Sequence, residues 1–96
     1  MDYKPTPINT EHIQLSEDLI DLTEAIAKQV HEIWGAGRVK EGWTYGETRN
    51  DKLKTTPCLV PYEDLPESEK QFDRDTAVGT IKLICALGYK IKKGEL

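Results

Sequence analysis

The sequence predicts a mainly α domain: two principal antiparallel amphipathic helices, joined by a long aromatic-rich loop that holds at most a small β-hairpin. Three observations predict it. The chain has 96 residues and a mass of 10.9 kDa, which allows one modest core and one domain, 1–96. Leu19, Leu22, Ile26, Val30 and Ile33 recur at steps of three or four, one stripe of a helix. Ala77, Ile81, Ile84, Cys85 and Gly88 mark a second such face, widened by Leu83 and Leu87.

Each element has a local cause. Pro5 and Pro7 favour extended backbone, so residues 1–15 read as an arm, pinned by Tyr3 and Ile8. Ser16 is the predicted N-cap of the first helix. Glu17 and Asp18 follow in its first turn, where acids meet the positive end of the helix dipole. Gly35 and Gly37 are the predicted end. Residues 38–64 hold Gly42, Gly46, Pro57 and Pro61 and no sustained period. Trp43 with Tyr45, and Cys58 with Val60, have the two-residue spacing of short paired strands. A connection this long is functional or disordered, and its aromatic content argues against disorder. The second helix is predicted to begin near Asp64–Glu67, with Pro66 in the first turn and Asp64 and Glu67 at capping-box spacing. Gly88 ends it, and Tyr89 and Ile91 return to the core. No internal repeat or dividing linker is visible.

Composition narrows the function classes. Hydrophobic residues make up 38% and charged residues 31%, with mean hydropathy −0.58, the balance of a soluble chain. No apolar run approaches the ~18–20 residues of a membrane span, and the opening stretch lacks the apolar centre of a secretory signal. Cys58 and Cys85 read as free thiols in a reducing, cytoplasmic setting. A net charge of −4 argues against a nucleic-acid polymer as partner. The charge is uneven. Glu11 to Trp34 holds six acids and one base, whereas Arg38 to Lys54 holds five bases and three acids. A local basic surface suits a compact anion; solvated lysines that keep the chain soluble are the plainer reading.

Several chemistries fail on spacing. His31-Glu32-Ile33-Trp34-Gly35 opens like a zinc-protease helix, but Gly35 stands where the second histidine is needed. His12 is the only other histidine, so neither metal nor cofactor is predicted. Gly35-Ala36-Gly37 lacks the third glycine of a dinucleotide fingerprint. Asp73-Arg74-Asp75 opens like a calcium loop, but Val78 and Ile84 occupy the glycine and glutamate positions. No serine or cysteine has a histidine partner at an arguable spacing, so no catalytic residue is assigned.

What remains is aromatic and cationic: His31, Trp34, Arg38, Trp43, Tyr45, Arg49 and then Tyr62. Trp34 lies roughly 60° from the centre of the Leu19–Ile33 stripe, a half-buried position that leaves one face or edge available. Such a ring stacks a planar group while guanidinium groups hold an anion. Taken singly, either tryptophan is also a plug for a small core, His31 is a helix-flank histidine bonded to loop backbone, and Tyr45 and Tyr62 are loop anchors.

In order, Tyr3-Lys4-Pro5-Thr6-Pro7-Ile8, Val30-His31-Glu32-Ile33-Trp34, Glu41-Gly42-Trp43-Thr44-Tyr45-Gly46, Arg49-Asn50-Asp51, Leu59-Val60-Pro61-Tyr62, Leu65-Pro66-Glu67 and Ala86-Leu87-Gly88-Tyr89 closely resemble the RyR domain. That repeat occurs in pairs in ryanodine-receptor calcium channels and singly in many bacterial proteins. The resemblance spans residues 3–91. It implies two principal helices with a little β-structure, and a peripheral domain, not a channel. It implies nucleotide binding at Trp34, Arg38 and Arg49, and a pocket between repeats would here need a dimer. Gly35-Ala36-Gly37 departs from the family pattern and bears on where Arg38 sits.

The resulting expectation is a non-catalytic binding or regulatory module that senses a small nucleotide-like anion through Trp34, Arg38, Trp43, Tyr45, Arg49 and His31. The rival is a protein-interaction or self-association module that docks through the same Trp/Tyr/Arg patch. An enzyme built on His31 and Glu32 has no nucleophile, metal or cofactor motif behind it.

Overall fold

The computed structural model describes residues 2–94, so the outermost ends of the predicted 1–96 domain lie outside the described residues. It contains a helix α1 over Glu17–Lys40, short strands β1 (Thr44–Tyr45) and β2 (Thr55–Thr56), a 3-10 turn at Tyr62–Asp64, and a helix α2 over Glu67–Ala86. The fold is mainly α, and α1 and α2 pack on one another.

The predicted end of α1 is corrected by the structure. Gly35 and Gly37 are both inside the helix, which runs on to Lys40. Helical backbone is open to glycine at a cost of ~1 kcal/mol per residue, so a glycine alone does not stop a helix. The stop is Gly42, at φ +93°. Its N–H bonds the Val39 carbonyl at 3.0 Å, and the Trp43 N–H bonds the Arg38 carbonyl at 2.9 Å. This is a Schellman motif, which needs a left-handed residue at that position. Arg38 and Lys40 in the last turn complement the negative end of the dipole. Gly88, at φ +95°, closes α2 the same way.

The N-termini are plainer than predicted. Ser16 is at the N-cap with extended backbone but makes no side-chain cap bond. Pro66 occupies the N-cap of α2, so the Asp64–Glu67 capping box does not form. Asp64 is spent in the 3-10 turn instead.

The β-pairing is parallel rather than a hairpin, with Thr44 opposite Thr55 and Tyr45 opposite Thr56. Residues 46–54 loop back between the strands, and Asn50 makes an antiparallel bridge to Thr55. The Asn50 side-chain oxygen accepts the Lys52 and Leu53 N–H groups, which tightens that return. Gly46 lies so close to β2 that an added Cβ would sit 2.7 Å from the Thr55 Cβ.

The core is smaller and differently faced than the stripes suggest. Ala27 and Ala77 are fully buried where the helices meet, with Tyr62 and Leu65 over them and Ile26, Cys58 and Val60 packed alongside. Ile81 and Trp43 are also buried. Ile33, predicted on the buried stripe, is exposed, and the inward positions of α1 fall to Ala27 and His31. Tyr3, Ile8 and Tyr89, predicted to pin the arm and return to the core, are exposed. Ile91, also predicted to return to the core, is half-buried, as are Ile13 and Leu15.

Two glycines with opposite surroundings give a paired prediction. An added Cβ at Gly37 meets nothing within 4 Å. Gly37→Ala should therefore raise unfolding free energy by up to ~1 kcal/mol. Gly46→Ala should lower it by about 1–3 kcal/mol. Urea midpoints of the two variants check both signs.

Candidate functional site

Helix spacing builds the first part of the site. His31, Trp34 and Arg38 step by three and four along α1 and share a face. The His31 and Trp34 rings stack with centroids 5.5 Å apart and planes 23° apart. The Arg38 guanidinium carbon lies 5.8 Å from the Trp34 ring centre and 5.0 Å from that of Trp43. Arg49 reaches the Trp43 ring at 5.8 Å. The Schellman motif explains the middle of this column, because it ties the Trp43 backbone to the Arg38 carbonyl. The order is thus His31, Trp34, Arg38, Trp43, Arg49: two stacked rings, then a guanidinium, a ring and a second guanidinium, held by cation–π attraction.

The column is anchored at His31. Its ring is 6% exposed, and Nε2 donates to the Val60 carbonyl at 2.7 Å. A carbonyl only accepts, so the proton is on Nε2, and Nδ1 in the neutral ring carries a lone pair. Nδ1 faces Asp73 Oδ2 at 3.9 Å. Tyr62 packs against the same imidazole at 6.3 Å between centroids. Its hydroxyl donates to Glu24 at 2.9 Å, and Arg74 holds Glu24 and Glu67 from the other side.

Beside the column lies a cavity of about 430 Å³. His31, Trp34 and Arg49 line it together with Thr56, Pro57, Cys58, Leu65, Glu69 and Asp73. Of the six residues singled out by sequence, three line the cavity and two, Arg38 and Trp43, back the stack. Tyr45 is exposed on β1 and outside both.

Sequence reasoning missed Asp73, Glu69, Thr56 and Cys58. For Asp73 a signal was present: it stands four residues before Ala77 and eight before Ile81, on the apolar face of α2. A carboxylate in a core register needs a reason. Burial pushes the Asp73 carboxyl above its ordinary range, with His31 partly offsetting this. Burial likewise pushes the Cys58 thiol up and keeps it protonated. Both cysteines are free and half-buried. Among the described residues no group of three or more His, Cys, Asp or Glu could hold a metal ion. Among the same described residues no helix is long and apolar enough to cross a membrane.

The sequence model of the RyR domain matches residues 3–93. The chain belongs to the RyR domain family.

Two carboxylates should titrate with opposite signs. Glu24 is held below its ordinary 4.5 by the hydrogen bond from Arg74 first and from Tyr62 second. A depressed acid stabilises the fold above its unfolded-chain pKa, and the contribution is lost as pH falls through the lower folded value. Asp73 is raised above 3.8 by burial, so its ionisation costs the fold stability at neutral pH, and that cost vanishes as pH falls toward 3.8. Glu24→Gln should therefore lower the neutral-pH urea midpoint and flatten its acid decline below pH 4.5. Asp73→Asn should raise the neutral-pH midpoint.

Proposed function

We propose that this RyR domain is a non-catalytic binding module for a small planar ligand that carries an anionic group, of the nucleotide type. The observation that carries this is the composition of the cavity wall. It joins the half-buried Trp34 ring to the Arg49 guanidinium around a space of ligand size. The base packs on the part of the Trp34 ring that His31 and Arg38 leave uncovered, and those two neighbours stiffen it. Arg49 receives the anion; it is exposed, pairs with Asp51 at 3.0 Å and lies against the Trp43 ring. Arg38 is outside the cavity lining and inserted between two tryptophans, so the reading gives it the column rather than the phosphate. The lining carries one guanidinium and two carboxylates, which favours a ligand of low negative charge, a nucleoside monophosphate over a triphosphate. Binding rather than catalysis fits a histidine committed to a backbone carbonyl and a thiol kept protonated.

A second reading, self-association, is favoured by one measurement. The chain exposes 7936 Å², whereas a folded monomer of 10.9 kDa exposes roughly 5,600 Å². The radius of gyration is 16.3 Å, against about 12.5 Å for a compact chain of this length. The excess area is larger than the ~800 Å² each partner buries in a standard interface. Docking of a second copy predicts a mass that rises with concentration in sedimentation; a constant monomer mass contradicts it.

The ligand reading is tested by tryptophan fluorescence during titration with nucleoside monophosphates. A saturable quench at micromolar ligand is expected. Arg49→Ala should weaken it about tenfold, the value of one charge-assisted hydrogen bond. Trp34→Phe keeps a ring in the column and should weaken binding without unfolding the chain. No change up to millimolar ligand contradicts the reading.

A further inference from the structure

One side of the cavity is unexpectedly rich in hydrogen-bond acceptors. Asp73 and Glu69, one turn apart on α2, both line it, and so does His31. The His31 ring is more than nine-tenths buried, and its Nε2–H is used by Val60. That leaves Nδ1 facing Asp73 Oδ2 at 3.9 Å, beyond hydrogen-bond range. With the ring neutral both of these atoms are acceptors, whereas a protonated ring would pair with the carboxylate across the gap. Among the described residues Asp73 pairs with no arginine or lysine, unlike Glu24, Glu63 and Glu67; its one ionisable neighbour in the ion-pair contacts is His31. Among the described residues no buried side-chain N or O lacks a hydrogen-bond partner, so these acceptors are reached by solvent in the free protein, and a ligand that brings N–H donors would take the solvent's place.

We infer that Asp73 is the specificity-determining residue of this cavity, and that it selects a guanine base by accepting its two adjacent N–H donors. The inference rests on the nucleotide reading above and deepens it. A carboxylate offers two acceptors side by side. Guanine presents a ring N–H next to an exocyclic amine on one edge, which matches them in a bidentate pair. Adenine presents an amine next to a ring acceptor, and that acceptor would meet the carboxylate's lone pairs. Hypoxanthine keeps the ring N–H and loses the amine. Glu69 and His31 line the same cavity and add further acceptors to it. The anionic end of the ligand is repelled by the same carboxylates and is directed to Arg49 on the remaining wall. Burial already holds the Asp73 carboxyl above its ordinary range, the strain that incoming N–H donors would relieve.

The test is calorimetric titration of the whole chain with guanosine, inosine and adenosine monophosphates. The expected order of affinity is guanosine, then inosine, then adenosine, with at least about tenfold between first and last. Asp73→Asn turns one of the two acceptors into a donor and so matches the adenine edge. It should abolish the guanine preference and bring adenosine monophosphate level with or ahead of guanosine monophosphate. Because Asn relieves a buried charge, this variant is expected to fold, and its urea midpoint verifies that. Glu69→Gln is the second variant and should reduce guanine affinity without reversing the order. Equal affinity for the three ligands, unchanged in Asp73→Asn, overturns the role of Asp73 and leaves the nucleotide reading standing. Binding of none of them overturns both.

Discussion

The structure depends on one hydrogen bond, from the His31 Nε2–H to the Val60 carbonyl at 2.7 Å. It joins α1 to the long connection across 29 positions of sequence. A buried imidazole N–H left without an acceptor would cost about 1–3 kcal/mol, so the loop is drawn to the helix at this point. The same bond chooses the tautomer. It sets the ring plane against which Trp34 stacks, and it turns Nδ1 toward Asp73 and the cavity. A second layer keeps the ring from tilting. Tyr62 lies against it, and the Glu24–Arg74–Glu67 ion pairs hold the Tyr62 hydroxyl across both helices.

Local backbone chemistry then delivers the rest of the column. A left-handed glycine just past α1 lets the Trp43 N–H reach back to the Arg38 carbonyl. The Trp43 ring is thereby brought against the guanidinium of the residue whose backbone it bonds. Each cation–π contact is worth only about 0.5–2 kcal/mol. Three in one column, with backbone bonds fixing its spacing, make a stiff wall rather than a loop of aromatics. A stiff wall matters for binding because ordering flexible side chains at the moment of capture costs affinity.

Much of this was legible in the sequence. Both helices are visible from periodicity, and Ala77 and Ile81 are on the buried face that their spacing marks. His31, Trp34, Arg38, Trp43 and Arg49 stand out by residue type, and the structure brings those five together. The misses have physical causes. Leu22 and Ile33 follow the apolar period but are exposed, because Ala27 and His31 take the inward register and the period counts only large apolar residues. The end of α1 was misplaced because glycine tolerates helical backbone, and only the Gly42 turn demands a positive φ. Parallel pairing of Thr44 and Tyr45 with Thr55 and Thr56 needs the chain to circle back through residues 46–54, a geometry that two-residue spacing does not encode. Asp73 was read for calcium and set aside, although its register with Ala77 was the better clue.

The most direct test of the account is the nitrogen chemical shifts of the His31 imidazole, measured by NMR at neutral pH. The account predicts a proton on Nε2, bonded to the Val60 carbonyl, with the Nδ1 resonance moving when guanosine monophosphate is added. A proton on Nδ1 with Nε2 unprotonated would contradict it, because the bond to Val60 and the acceptor edge of the cavity would both be lost.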